Sequence, residues 1–268
     1  MAKFLRFFYT VRHQMSVERL LTFSTVLFLL ALWFAVTEQK FFSDILVPSP
    51  YKVFNSFCEI AQNGYKENSL LTHLGDSLLR LLGSFLLVII TAVPLGLLSG
   101  YNSKVRAVID PVIEFYRPLP PLAYYTLLVL WLGIDNSSKV ALLYLAGFAP
   151  VYIACVSGVR KIRNDYIDGA YTLGASRRQV FFHVIFPACL PDIFVGLRTA
   201  IGVAYTTLVA AEMVAAVTGI GWMVLDASKF LRSDIIFLGI FIMGITGIII
   251  DGVIRAIENK VVPWKGKE

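Results

Sequence analysis

The chain has 268 residues, of which 57% are hydrophobic and only 16% charged, and its mean hydropathy is +0.72. Soluble domains carry about 25% charged and about 45–50% apolar residues, so this composition excludes a water-soluble globule and requires lipid around the outside. Twenty-four Lys and Arg against 18 Asp and Glu leave a net +6, which in such a chain reports on loop charge and sets nucleic-acid binding aside.

In chain order, residues 1–19 interleave Phe4, Leu5, Phe7, Phe8, Tyr9 and Val11 with Lys3, Arg6, Arg12 and His13. That pattern predicts a helix lying in the headgroup region, with a disordered basic tail as the alternative. Leu20 to Thr37 is the first charge-free run. The residues after it offer no small-residue cleavage site, so it reads as a retained signal-anchor span. Leu81 to Gly100 is the second run, and Pro94, Gly96 and Gly100 imply a bend near its end. A third begins near Asp110, meets Pro118, Pro120 and Pro121, and continues from Leu122 to Ile134. Three prolines in four residues cannot continue a regular helix, so the cluster is either a hinge lining a pathway or the boundary between a short surface helix and the span.

The fourth run is Val140 to Val159, the fifth about Leu190 to Ala211 and the sixth Ile235 to Ile250, extending towards Arg255. Met213 to Leu225 is apolar but Gly-rich and too short to span. Gly239, Gly244 and Gly247 in the sixth run are expected to allow close helix approach. The expected fold is all-α and integral to the membrane: a six-span domain over 20–258, the interfacial segment 1–19 and a tail 259–268. With these spans, sixteen basic residues fall on one side and six on the other: Lys40, Lys52, Lys66, Lys139, Lys229 and Arg232. Both termini therefore face the cytoplasm.

The long loop between spans four and five, 160–187, is the most informative segment. Tyr166, Ile167, Ala170, Tyr171 and Leu173 have helical spacing, and Gly174 breaks it. Ser176-Arg177-Arg178-Gln179 fits a capping box that starts a second helix, which Pro187 is expected to stop. A helix, a glycine corner and a second helix flanked by arginines form a docking surface for another protein.

Cys58, Cys155 and Cys189 are scattered, as are His13, His73 and His183, so neither a redox pair nor a zinc ligand set is visible and the cysteines read as packing residues. The sole Gly-Lys pair, Gly266-Lys267, lacks the upstream glycine of a phosphate loop. No cofactor, metal or catalytic cluster of His, Asp, Glu or Ser is expected, which argues against an integral-membrane enzyme. Arg80, Arg198 and Glu212 are the charges nearest membrane depth. Arg80 is placed at the outer edge of span two and Arg198 in the inner third of span five. Each is read as a substrate contact, a snorkelling side chain or an internal ion pair, with the last two preferred. Glu212 seals a gate or pairs with a cation. Tyr124, Tyr125, Tyr144, Tyr152 and Tyr205 either supply hydroxyls to a lumen or simply pack.

At the loop, the sequence resembles the permease subunits of bacterial ATP-binding-cassette importers. Their signature is Glu-Ala-Ala, three residues, Gly, nine residues, Ile-x-Leu-Pro. Here it reads Asp168-Gly169-Ala170, three residues, Gly174, nine residues, Val184-Ile185-Phe186-Pro187, with the spacing intact. Tyr116 to Tyr124, Leu130 to Ile134, Ala146 to Val151, Gly174 to Arg177, Leu208 to Met213 and Leu46 to Pro50 are similar to the nitrate, sulfonate and taurine branch.

The resemblance implies a bacterial inner-membrane permease working as a homodimer, with two separate ATPase subunits docked on the 160–187 loops. A periplasmic or lipid-anchored binding protein would deliver taurine or a related sulfonate from the other side. On that reading Ala170 and Gly174 sit close against the ATPase while Tyr166, Tyr171 and Leu173 fill its groove. Arg80, Pro120, Pro121, Arg198 and Glu212 are the pathway candidates. The alternatives are another small cargo (nitrate, an alkanesulfonate or a thiamine precursor) and an ion-coupled secondary transporter.

Overall fold

The computed structural model describes residues 2–39 and 41–265, with side chains described for residues 17, 20–39 and 41–265. Lys40, Lys267 and the side chains of Lys3, Arg6, Arg12 and Arg19, all counted in the basic tally, lie outside the described residues, as do the side chains that motivated an interfacial segment. Among the described residues the fold is all-α.

Helix α1 (Ala2–Glu38) is one helix where the sequence expects an interfacial segment and a separate span. Its apolar part, Leu20–Glu38, exposes nearly every side chain, as a span surrounded by lipid must. At its far end the Trp33 indole N–H donates to the Pro48 carbonyl at 3.0 Å. Helix α2 (Pro50–Asn63) starts where the Ser49 hydroxyl accepts the Lys52 N–H at 3.3 Å and Pro50 takes the first helical position. It ends at Gly64, φ 76°. A search for charge-free runs passes over it because Lys52 and Glu59 interrupt it.

Helix α3 (Leu70–Tyr101) begins well before Leu81, capped by Ser69, so Arg80 lies within the helix and not at its edge. The proline cluster separates α4 (Ser103–Tyr116) from α5 (Pro121–Leu132), which makes it the boundary of the two expected alternatives. Twelve residues of α5 extend only about 18 Å against a hydrocarbon core of about 30 Å. Helix α6 (Asn136–Lys161) runs through Pro150.

The loop region holds α7 (Asn164–Thr172) and the short α8 (Arg177–Val180), which passes through a π-helical turn (Phe181–Ile185) directly into α9 (Phe186–Ala215). Pro187 therefore does not stop the second helix, contrary to expectation. It falls in the first turn of α9, where a missing N–H costs little, and the wider π turn takes up the change of register. Helix α10 (Ile220–Lys229) occupies the short Gly-rich stretch and α11 (Ser233–Val261) completes the chain. Among the described residues five helices are long and apolar enough to cross a bilayer; α5 is the shorter sixth, so the six-span count fits approximately.

Helices α3, α6 and α9 form the core, burying Leu81, Val88, Leu143, Val151, Tyr152, Cys155, Cys189 and Ala200. Both cysteines there are packing residues. A second cluster joins Val53 and Ile60 of α2 to Met223, Ala227, Ile235 and Leu238 of α10 and α11. Of the three glycines expected to allow close approach in α11, Gly239 does so: a Cβ there would overlap Val224. Gly244 meets open space and Gly247 has only ordinary contacts.

Candidate functional site

Two places combine polar chemistry with strict geometry. At the end of the bundle bearing Gly133 to Lys139, the first half of α3 carries His73, Ser77, Arg80 and Ser84 along one buried stripe. Arg80 is 5% exposed, so it neither snorkels nor lies open to substrate, and the expectation of an edge position gives way to the internal ion pair. Its Nη1 donates to Glu212 Oε1 at 2.7 Å and to the Thr218 carbonyl at 3.0 Å, its Nη2 to Thr218 Oγ1 at 3.0 Å, and its Nε to Asn136 Oδ1 at 2.7 Å.

The Glu212 carboxylate also accepts the Ser77 hydroxyl at 2.7 Å and the Gly221 N–H at 2.9 Å. A carboxylate on α9 thus caps the N-terminus of α10, where it complements the helix dipole. Gly219 is required by the same contact: its φ is 122°, and a Cβ would overlap the Glu212 carboxylate. Around this pair, Thr218 Oγ1 donates to Asp76 at 2.6 Å and the Gly219 N–H donates to His73 Nδ1 at 3.2 Å. Lys139 is also buried, its ammonium donating to the Ile134 and Asp135 carbonyls at 2.6 and 3.2 Å. The arrangement is a fully partnered clasp joining α3, α6, α9 and α10.

Beside the clasp, Asp226 of α10 accepts the Tyr65 hydroxyl at 2.8 Å and pairs with Lys66 at 2.6 Å. Burial alone would raise the Asp226 carboxyl, but the bonds from Lys66 and Tyr65 outweigh it and hold the group below the usual carboxylate range.

At the opposite end lies the 160–187 loop. Tyr166 and Leu173 project outward, Leu173 being 90% exposed. Asp168, Gly169 and Arg177 are exposed, and the Tyr171 and Tyr101 hydroxyls are 3.4 Å apart. Ala170, with Ile167 and Ala175, is turned towards the bundle's own core, so it packs inside this subunit. Gly174 has φ 84° and open space where a Cβ would sit, so backbone conformation rather than crowding demands glycine. Ser176 and Gln179 form the full capping box. Pro187 is half-buried in the first turn of α9, and Pro120 and Pro121 open α5, the former exposed.

A third set was only half visible in the sequence. Arg198 Nε donates to Asp251 Oδ1 at 3.0 Å, and Arg255 Nε to the other carboxylate oxygen at 2.7 Å. Asp251 and Arg255 line one end of a groove of about 870 Å³ between α9 and α11, with Tyr205, Thr206 and Gly244 along its walls. Tyr205 donates to the Met243 carbonyl at 3.0 Å, which spends its hydroxyl on helix packing. Asp76, Ser77, Asn136, Thr218 and Asp251 do not stand out in the sequence. The available signal was the polar stripe at helical spacing through α3.

Residues 92–263 match the family described as binding-protein-dependent transport system inner membrane component. The chain belongs to that family. It is 38% identical to the taurine transport system permease protein TauC of Escherichia coli, over 96% of this chain and 94% of that one. It is 31% identical to the nitrate import permease protein NrtB of Synechocystis sp., over 82% of each chain. The chain is accordingly a multi-pass inner-membrane permease of an ATP-binding-cassette importer, working with an ATPase and a substrate-binding protein. As a member of this family it is not an enzyme: ATP is hydrolysed on the separate ATPase subunit.

Proposed function

We propose that this permease passes taurine or a related sulfonate into the cytoplasm as one of two identical subunits, each carrying an ATPase on its 160–187 loop. The observation that carries the cargo is the 38% identity to a taurine permease across 96% of the chain. The spread of basic residues supports cytoplasmic termini, with the loop inside and the Arg80–Glu212 clasp outside. The exposure of Tyr166 and Leu173 supports docking: both are apolar side chains free to enter a partner's groove beside a capped helical corner, which suits turning closure of that partner into rigid-body movement of the spans.

Because Arg80 and Glu212 spend their bonds on each other, on the Ser77, Asn136 and Thr218 side chains and on the backbone, they brace the outer mouth and do not contact cargo. Arg255, which lines the end of the α9–α11 groove and is exposed, is the cation better placed to meet a sulfonate, with Arg198 behind it on the same Asp251 carboxylate. The test is reconstitution with the cognate ATPase and binding protein in proteoliposomes. Taurine is expected to accumulate on ATP addition and to stimulate hydrolysis. Uptake of nitrate with no response to any sulfonate would overturn the cargo, and the 31% identity to a nitrate permease makes nitrate the second reading.

A further inference from the structure

Helix α2 divides into three stripes when its residues are placed 100° apart. Val53, Ser56 and Ile60 are buried against α10 and α11, where the Ser56 hydroxyl donates to Asp234 at 2.5 Å. Lys52, Asn55, Glu59 and Gln62 form a polar stripe, and all four are exposed. Between these lies a third stripe, Tyr51, Phe54, Phe57 and Ala61, which is also exposed; Tyr51 is 70% and Phe54 62% accessible. A helix that has already buried one apolar face in protein gains nothing from a second, aromatic face in water, because exposed rings forfeit the free energy of leaving it.

The aromatic stripe follows closely in the chain on surface that must already face lipid. Span α1 exposes Leu27, Leu30 and Phe34, and the connection to α2 exposes Phe41, Phe42, Ile45 and Leu46. The Trp33 indole, bonded to the Pro48 carbonyl, fixes the end of the span to the start of α2. Aromatic residues with polar neighbours at the end of a span mark the headgroup level.

We infer that α2 lies in the plane of the bilayer surface, its Tyr51–Phe54–Phe57 stripe inserted at the headgroup–acyl boundary and its Lys52–Asn55–Glu59 stripe in water. The occupant of the aromatic face is lipid, the same solvent that covers α1. Through Val53, Ser56 and Ile60, this anchored helix holds the start of α11, on which α10 packs, at a fixed depth. Assignment to the outer leaflet rests on the proposed topology; insertion itself does not.

The experiment places a nitroxide label at residues 51, 52, 54, 55, 57 and 59 in turn, on the full chain in nanodiscs with Cys58→Ser. Cys155 and Cys189 are buried and stay unlabelled. Collision with oxygen reports lipid, and collision with a water-soluble nickel chelate reports water. Oxygen is expected to dominate at 51, 54 and 57 and the chelate at 52, 55 and 59, with the oxygen-to-chelate ratio alternating at least about fivefold. Equal chelate access at 54 and 55 overturns the inference in favour of a water-exposed helix. Protection from both reagents at 54 and 57 overturns it in favour of a second copy or a protein partner. If a label at 54 disturbs the elution of the protein, Ala61→Cys reads the same stripe.

Discussion

Removing Glu212 should be the most damaging single substitution outside the three-helix core. Glu212→Ala leaves the Arg80 guanidinium buried without its carboxylate and strips acceptors from the Ser77 hydroxyl and the Gly221 N–H. Breaking a buried pair by deleting one partner costs about 3–5 kcal/mol when the surviving charge is uncompensated; here Asp76, 3.8 Å from Arg80 Nη2, offsets part of that, so the loss should lie towards the lower end. Arg80→Met should cost less, since the carboxylate keeps Ser77 and Gly221. The double variant Arg80→Met with Glu212→Leu restores neutrality and volume, so its loss should fall short of the summed single losses by at least about 1.5 kcal/mol. Reversible SDS unfolding in mixed micelles measures all four corners of this cycle. A Glu212→Ala protein within about 1 kcal/mol of the parent, or single effects that simply add, would show that the pair is not the buried unit described.

Gly219→Ala should approach the loss of Glu212→Ala, because its Cβ would occupy the carboxylate's place; the same unfolding assay reads it. At Gly174 the left-handed backbone costs an L residue about 1–2 kcal/mol, while the space around it is open. The ratio of transport to ATP hydrolysis in proteoliposomes should therefore fall in the order Gly, Asn, Ala, Val, and normal coupling by Gly174→Val would contradict the requirement. Asp226 has a lowered folded pKa, so the stability it contributes is complete above the unfolded carboxylate value of about 3.9 and is lost as pH falls through the folded one. The stability difference between parent and Asp226→Asn should hold steady from about pH 7 to pH 5 and shrink below about pH 4.

The spans and the loop were legible because each follows from local arithmetic. Charge-free runs of about 20 residues locate helices whatever their neighbours, and the Ser176–Gln179 capping box is a four-residue statement. Helices α2 and α10 were hidden for opposite reasons: α2 carries charge on one stripe, and α10 is apolar but only ten residues long. The start of α3 escaped because His73, Asp76 and Ser77 make residues 70–80 look like a loop until Thr218, Gly219 and Glu212 are placed beside them. That pairing spans more than 130 residues of chain and leaves no local trace. Pro187 misled for a physical reason: proline ends a helix when its missing N–H falls inside one, and here it falls at the start of the next.

The Arg80–Glu212 bond has a consequence for how the protein is made. A guanidinium at the centre of a span costs about 2.5–3.5 kcal/mol on insertion scales, so one near its end is best held by fixed partners. Glu212 leaves the ribosome 132 residues after Arg80, which at 5–20 residues per second is about 7–26 s later. During that interval the Arg80 guanidinium has Asp76 of its own helix, 3.8 Å away in the finished fold, as its carboxylate, and lacks the 2.7 Å bond to Glu212. Synthesis of α9 and the following turn supplies that bond, so the last third of the chain completes the packing of the first.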